Sequence, residues 1–264
     1  MTPVAIITGA SSGIGAELAR VFASNGHALV LVARREARLK TVAAELESAG
    51  ATIPLVLPID LSKRDAVARI ALALEVRALQ PQFVVNNAGF GLHGPAAERD
   101  RDELLSMVDL NMRALTDLSL AFVASLARHR GGILNVASVA GFLPAPASAV
   151  YYASKAYVIS FGEALYRELK PMGVRVTTLC PGPVHTEFQA RAGVTSKKTT
   201  MFHVPALRVA EQGYQGLMRG KRMVIPGFAN KALTLLPRVM PRSWLLAAAG
   251  KRQRSRLTSS APRR

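Results

Sequence analysis

Short, continuously apolar runs alternate with longer helical patterns over the first 180 residues. Val4–Ile7, Ala28–Val32 and Phe83–Val85 are such runs, and none of them alternates apolar with polar residues as a half-exposed strand does. Strands of this type are buried on both faces, which is typical of a parallel sheet covered by helices. Repeated strand–helix–strand units have right-handed crossovers, so the pattern predicts an α/β fold with one doubly wound parallel sheet.

The composition excludes several classes of protein. Half of the 264 residues are apolar and 19% are charged, which excludes a disordered or low-complexity chain. A single cysteine, Cys180, excludes a disulfide framework and fits a reducing, cytoplasmic compartment. The histidines show no metal-ligand spacing, and we predict no metal site. We also expect no signal peptide and no ordinary transmembrane helix.

A glycine-rich turn follows the first predicted strand directly. It reads Thr8-Gly9-Ala10-Ser11-Ser12-Gly13-Ile14-Gly15 and runs into a helical pattern from about Ile14 to Ser24. Glycines permit a tight turn and a close approach of the backbone to a phosphate, and the helix N-terminus adds free N–H groups and a positive dipole end. The turn therefore predicts a phosphate-binding site, with an ordinary strand–helix connection as the alternative.

Further motifs follow in an order and spacing that resemble the short-chain dehydrogenase/reductase family over residues 4–190, about 70% of the chain. The resemblance implies a Rossmann fold over residues 1–226, an oxidoreductase activity with a nicotinamide cofactor, and a dimer or tetramer. Residues 227–264 then form a C-terminal extension. The motifs are Asp60-Leu61, Asn86-Asn87-Ala88-Gly89, Asn111, Ser138, Tyr151-x3-Lys155 and Pro181-Gly182-x3-Thr186.

Tyr151 and Lys155 are four residues apart on a predicted helix and therefore share one face. A phenol is a useful acid only when its pKa falls from about 10 towards neutrality, and a nearby ammonium group favours that fall. Tyr152 is the competing candidate, and the resemblance favours Tyr151 as the catalytic acid. The alternative is that both tyrosines are packing residues.

Two more side chains are candidates for the catalytic site. Ser138 follows a buried strand, at the edge of the sheet where ligands of α/β proteins bind, and its hydroxyl can hydrogen-bond a substrate oxygen. A turn or helix-capping serine is the alternative. Asn111 lies in a predicted helix, where asparagine is a poor helix former. The resemblance implies that it kinks the helix and holds a water that connects to Lys155; a solvent-facing side chain is the alternative.

The resemblance also assigns the cofactor-binding residues. Arg34 and Arg35 end the second strand, where an NAD site usually carries an acidic residue and an NADP site a basic one, so we expect NADP(H). A solvated start of the next helix is the alternative. The expected cofactor-binding residues are Gly9, Ser11, Ser12, Gly13, Ile14, Gly15, Arg34, Arg35, Asp60, Leu61, Asn87, Ala88, Gly89, Tyr151, Lys155, Pro181, Gly182, Val184 and Thr186.

We therefore expect an NADP(H)-dependent oxidoreductase that interconverts a carbonyl and a secondary alcohol. The alternatives are an NAD-dependent alcohol dehydrogenase and a non-catalytic nucleotide-binding scaffold. The substrate is expected to be largely apolar because apolar side chains occupy loops near the predicted site. These side chains are Phe90, Leu92, Phe142, Leu143, Phe188 and Phe202.

Positive charge is concentrated in the last third of the chain. Residues 1–187 carry a net charge of +2, and residues 188–264 carry +15, with Glu211 as their one acidic residue. Apolar segments near Phe228–Leu236 and Ser243–Ala249 lie within this part, and Pro237 and Pro241 are expected to break them. Residues 227–256 suit peripheral contact with an anionic membrane. Packing on the body or on a second subunit is the alternative, and nucleic-acid binding is not expected.

Overall fold

The computed structural model describes residues 1–184, 187, 202–241 and 243–246. Seven parallel strands form one sheet in the order β3-β2-β1-β4-β5-β6-β7, which confirms the predicted doubly wound architecture. The chain reverses its direction of winding between β1 and β4, the point at which such sheets bind nucleotides. The strands are β1 Thr2–Thr8, β2 Ala28–Ala33, β3 Leu55–Pro58, β4 Leu79–Asn86, β5 Gly132–Val136, β6 Arg175–Leu179 and β7 Met223–Val224.

Helices cover both faces of the sheet. Phe22 and Leu39 are fully buried on one face, and Ile70 and Leu126 are fully buried on the other. The helices are α1 Gly13–Ser24, α2 Glu36–Ser48, α3 Ala66–Glu75, α4 Arg101–Val108, α5 Leu115–Ala121, α6 Val123–Arg128, α7 Ala149–Leu169, α8 Ala206–Met218 and α9 Phe228–Val239.

The segment before β4 differs from the sequence-based expectation. The apolar pattern predicts a helix from about Asp65 to Leu79, but α3 ends at Glu75 and Leu79 already pairs with Thr2 of β1. Ala78, with φ of 53°, turns the chain between them. The apolar residues at the end of the pattern therefore belong to the strand, because pairing with β1 outweighs helix propensity.

Two long helices are predicted over residues 102–128, but the structure divides this stretch into three. A wider π-helical turn, Asp109–Ala114, separates α4 from α5, and Phe122 interrupts the second helix with φ of −114°. Asn111 lies within the wide turn, and its side chain bonds to the backbone of Phe90 instead of facing solvent. The irregular turn thus places a polar side chain inside the molecule.

The C-terminal extension also departs from the prediction. Helix α9 continues through Pro237, which was expected to end it. Proline lacks an N–H and removes one helical hydrogen bond, and near the end of a helix few further bonds depend on that one. Ser243–Leu246 form one more helical turn, whereas Ala247–Ala249 and the basic tail lie outside the described residues.

Candidate active site

The predicted site residues gather at the carboxyl-terminal edge of the sheet. The glycine-rich turn follows β1, Asn87–Gly89 follow β4, Ser138 follows β5 and Pro181 follows β6. These four strands are adjacent in the sheet, so their following loops meet at one edge. Ligands bind outside this edge in open α/β sheets.

The glycine-rich turn is closed by backbone geometry that requires glycine. Gly9 has φ of 64°, in the left-handed region, and its N–H donates to the Val32 carbonyl at 2.8 Å. A β-carbon on Gly15 would collide with the carbonyl oxygen of Gly9. The turn therefore brings the first residues of α1 against the end of β1.

Thr8 ties this turn to the loop after β4. Its hydroxyl donates to the Val85 carbonyl at 2.9 Å and accepts from the backbone N–H groups of Asn87 and Ala88 at 2.9 and 3.0 Å. The Asn87 amide donates in turn to the Thr8 carbonyl at 2.9 Å. Thr8 was not among the predicted site residues; its position as the last residue of β1, before the glycines, is the signal that could have found it.

Ser138 and Tyr151 are hydrogen-bonded through their side chains. Ser138 has an extended backbone directly after β5, and its hydroxyl also accepts from Ala140 N–H at 3.1 Å. Tyr151 lies in the first turn of α7, and its ring stands edge-on to the Tyr152 ring with centroids 5.9 Å apart. The structure therefore joins Ser138 to Tyr151, the tyrosine that the motif spacing favours.

Lys155 lies one helical turn beyond Tyr151 and is buried, with 6% of its surface exposed. Its Nζ donates to the Val136 carbonyl at 2.9 Å. Gly89 lies between this ammonium group and Asn111. A β-carbon added to Gly89 would be 2.9 Å from Asn111 Oδ1 and 3.7 Å from Lys155 Nζ. The absence of a side chain there keeps the three groups in one compact cluster.

The Asn111 side chain is held on three sides. Its Oδ1 accepts from Phe90 N–H at 3.1 Å, and its Nδ2 donates to the Phe90 carbonyl at 2.9 Å and to Ser154 Oγ at 3.1 Å. Ser154 is fully buried and was missed by the sequence analysis, although it directly precedes Lys155. These contacts exclude the alternative of a solvent-facing Asn111.

Burial determines the protonation of the two titratable groups. It raises the pKa of Tyr151 to about 12, although the hydrogen bond from Ser138 acts in the opposite direction. Burial also lowers the pKa of Lys155 to about 8. The pKa of Tyr151 is therefore raised in the chain alone and does not fall towards neutrality as expected, because desolvation of the phenolate is the largest effect on it.

The two arginines after β2 occupy different surroundings. Arg35 donates to the hydroxyls of Ser11 and Ser12 at 3.2 and 2.9 Å and pairs with the Glu187 carboxylate at 2.7 Å. The positive charge of Arg34 instead lowers the pKa of Asp60. Burial would raise the pKa of that carboxyl, but hydrogen bonds from Ser62 and the Arg34 charge hold it below its ordinary value. Only Arg35 joins the glycine-rich turn.

The side chain of Glu187 shows that the surroundings of Arg35 and the glycine-rich turn accept an anionic group. Its carboxylate bonds to Arg35 and Ser12, and the pKa of Glu187 is lowered chiefly by the Arg35 hydrogen bond. A carboxylate oxygen thus already sits where a phosphate oxygen would be expected. The residues present fit an anionic cofactor, and Glu187 is a contact that the sequence analysis did not find.

The loop after β6 is described only in part. Pro181 accepts from Val139 N–H at 3.0 Å, and Val184 is buried with 7% exposed. Gly182 packs directly against the side chain of Asn230 in α9. Thr186 and Phe188 lie outside the described residues. Within the described ranges, no cluster of three acidic, histidine or cysteine side chains could hold a metal ion.

A family model described as short chain dehydrogenase matches residues 3–196. The chain belongs to the short-chain dehydrogenase family. It is 39% identical over 191 residues to sulfoacetaldehyde reductase 2 of Chromohalobacter salexigens, covering 71% of this chain and 75% of that protein. It is 32% identical over 250 residues to an uncharacterized oxidoreductase of Myxococcus xanthus, covering 93% and 95%. A third relative, a short chain dehydrogenase of Pseudocercospora fijiensis, is 37% identical over 190 residues, and the match covers 70% of this chain and 61% of that protein.

Solved structures of other short-chain dehydrogenases share the fold. One from Sphingobium yanoikuyae in complex with NADPH has a TM-score of 0.78 and 31% identity, covering 91% of this chain and 97% of that one. Another from Burkholderia phymatum in complex with NAD has a TM-score of 0.79 and 27% identity, covering 89% and 92%. These similarities identify the chain as an oxidoreductase of this family, and the two solved relatives bind NADPH and NAD.

Proposed function

We propose that this enzyme is an NADP(H)-dependent oxidoreductase that interconverts a carbonyl and a secondary alcohol, with Tyr151 as its acid and base. The observation that carries the proposal is the hydrogen bond between the Tyr151 and Ser138 hydroxyls, one helical turn from the buried ammonium group of Lys155. Two hydroxyls at the open edge of the sheet can together hold one substrate oxygen.

The nicotinamide cofactor, when bound, supplies the hydride. Ser138 holds the substrate oxygen by hydrogen bonding, and Tyr151 donates its proton to that oxygen in the reductive direction. Burial keeps the phenol protonated at neutral pH, so Tyr151 holds the proton that the reduction requires.

Lys155 and Asn111 support this proton transfer. The Lys155 ammonium group lies in a buried cluster with Asn111, and we assign it to the nicotinamide ribose and to the electrostatic support of Tyr151. Asn111 is held by Phe90 and Ser154, so its side chain is a fixed part of the route along which a proton reaches Tyr151 from water.

The cofactor preference rests on Arg35. Its guanidinium lies at the glycine-rich turn with Ser11 and Ser12, and it already holds a carboxylate there. A guanidinium fork matches a phosphate group, so we assign the 2′-phosphate of NADP(H) to this place. An NAD-dependent enzyme is the alternative, and fluorescence titration with NADPH and NADH separates the two.

We infer a largely apolar substrate. Phe90 is buried beside Asn111, and Phe142 and Leu143 are half-buried in the segment that follows Ser138. The test is a panel of ketones and aldehydes, with acyl-chain, steroid-like, aromatic and small anionic members, and NADPH consumption as readout. Turnover confined to the anionic members, such as sulfoacetaldehyde, would contradict the apolar assignment. No turnover with any member, with NADPH still bound, would favour a nucleotide-binding scaffold.

The assembly expected from the family is a dimer or tetramer, and this stays a proposal. Sedimentation velocity over a range of protein concentrations measures it. A monomer at every concentration would contradict it.

A further inference from the structure

Helix α9 is amphipathic in an unusual sense, because two of its polar side chains, Asn230 and Thr234, face the protein. Asn230 is completely buried, and its Nδ2 donates to the Phe202 and Pro226 carbonyls at 3.0 and 2.8 Å. Thr234, one turn later, is 5% exposed and bonds back to the Lys231 carbonyl. Asn230 also packs against Gly182 in the loop after β6. The extension is therefore docked on the body through this polar face.

The opposite face of α9 is apolar and exposed. Phe228 and Leu235 lie seven residues apart on one side of the helix, 87% and 55% exposed, with Lys231 between them. Trp244 and Leu246, in the helical turn after Pro241, are 66% and 42% exposed. We call these four side chains, Phe228, Leu235, Trp244 and Leu246, the apolar rim.

The charged residues of the extension all have one sign. Residues 227–264 contain nine lysines and arginines and no acidic residue. A second copy of the chain would bring the same positive charge to the same surface, and that repulsion opposes pairing through the rim. An anionic lipid surface offers apolar acyl chains for the rim and phosphate or carboxylate groups for the basic residues.

We propose that the apolar rim, together with the exposed Lys231 between Phe228 and Leu235, forms a docking surface for an anionic lipid bilayer. The enzyme then lies on the bilayer with α9 parallel to its plane. The described residues include no helix long and apolar enough to cross a membrane, and the contact is peripheral. Because α9 touches Gly182 on its inner face, docking places the open edge of the sheet close to the membrane surface.

The single tryptophan of the chain makes this proposal directly measurable. Trp244 belongs to the rim, so its fluorescence reports the environment of the docking surface. Full-length enzyme is titrated with vesicles of phosphatidylcholine alone and with vesicles that also contain phosphatidylserine. We expect a blue shift and co-sedimentation with the anionic vesicles only, and both should weaken as salt is added, since salt screens exposed charges.

A pair of double variants separates the rim from general surface apolarity. Phe228→Ser with Leu235→Ser removes the centre of the rim, whereas Leu72→Ser with Leu120→Ser removes two side chains that are 61% and 51% exposed elsewhere. We expect the first pair to lose at least tenfold in vesicle partitioning and the second to keep it. Thermal melting and NADPH binding of both should match the unchanged enzyme.

Three results would overturn the proposal. The first is an unshifted tryptophan spectrum with anionic vesicles at low salt. The second is an equal loss of binding in the two double variants. The third is a blue shift that grows with protein concentration in the absence of lipid and disappears in the Phe228/Leu235 variant, which would assign the rim to a second copy of the chain. None of these results bears on the proposed catalytic function.

Discussion

The carboxylate of Glu187 lies 2.7 Å from the guanidinium of Arg35. The same guanidinium donates to the Ser12 hydroxyl at 2.9 Å, in the turn proposed to bind the cofactor phosphates. An acidic side chain from the loop after β6 thus occupies a cationic position close to the N-terminus of α1. If NADP(H) places its 2′-phosphate there, the phosphate and the carboxylate compete for Arg35.

Glu187→Gln should therefore tighten NADPH binding. Arg35 and Glu187 are both about half exposed, and such pairs are worth about 0–1 kcal/mol, so the Kd should fall by up to about fivefold. NADH, which lacks the 2′-phosphate, should bind as before. Fluorescence titration measures both constants. Glu36→Gln is a matched control, because it removes an exposed carboxylate that pairs with Lys40 instead. Weaker NADPH binding in Glu187→Gln would contradict the competition.

Arg35→Ala should weaken NADPH binding by about tenfold or more, since hydrogen bonds to charged groups contribute roughly 1.5–3 kcal/mol. Arg34→Ala is the matched control. Arg34 acts on Asp60 and, unlike Arg35, does not bond to Ser11 or Ser12, so its removal should have the smaller effect. Titrations with NADPH and NADH compare the two variants. An equal loss for both cofactors in Arg35→Ala would mean that this residue does not recognise the 2′-phosphate.

The rate of carbonyl reduction should fall as the pH rises through about 8. Burial lowers the pKa of Lys155 to about 8, so its ammonium charge is lost above that pH, whereas Tyr151 keeps its proton until about 12. The measurement is kcat/KM for reduction between pH 6 and 10. In Lys155→Arg the guanidinium stays charged, so any residual activity should no longer fall as the pH rises through 8. A profile that is flat to pH 10 in the unchanged enzyme would contradict the role of Lys155.

The lowered pKa of Lys155 also predicts how the stability of the enzyme changes with pH. A lysine whose pKa is lower in the folded state destabilises the fold while it is charged. This destabilisation is complete below pH 8 and disappears as the pH approaches 10.5, the pKa of an ordinary lysine. Lys155→Met should therefore be more stable than the unchanged enzyme at pH 7. The difference in the free energy of unfolding should shrink towards pH 10. Urea denaturation at the two pH values measures it, and a difference that grows with pH would be the wrong sign.

The architecture could be predicted from the sequence because its signals are local. Continuous apolar runs specify buried parallel strands, and α2 has the bounds that its pattern predicts, Glu36–Ser48. The expectations that were wrong depend on partners distant in sequence. Leu79 belongs to a strand because it pairs with Thr2, which is far from it along the chain.

Some features of the candidate site could likewise be predicted from the sequence, and others depend on contacts that only the fold creates. Spacing along the chain placed Ser138 at a strand end and Tyr151 and Lys155 on one helix face, but the family resemblance was needed to prefer Tyr151 over Tyr152. Spacing could not show which arginine contacts the glycine-rich turn, because Arg34 and Arg35 are neighbours in sequence and differ only in the residues that they contact. Nor could it set the pKa of Tyr151, which depends on burial by the whole fold.

The central claim is that Tyr151 supplies the proton. The most direct measurement is single-turnover NADPH oxidation with a reactive ketone in Tyr151→Phe and, as the matched control, Tyr152→Phe, together with the NADPH Kd of each. General acid catalysis contributes typically about 10²–10⁴-fold, so Tyr151→Phe should lose that much in rate and keep its NADPH affinity. Tyr152→Phe should stay close to the unchanged enzyme. A severe loss in Tyr152→Phe with little loss in Tyr151→Phe would contradict the account.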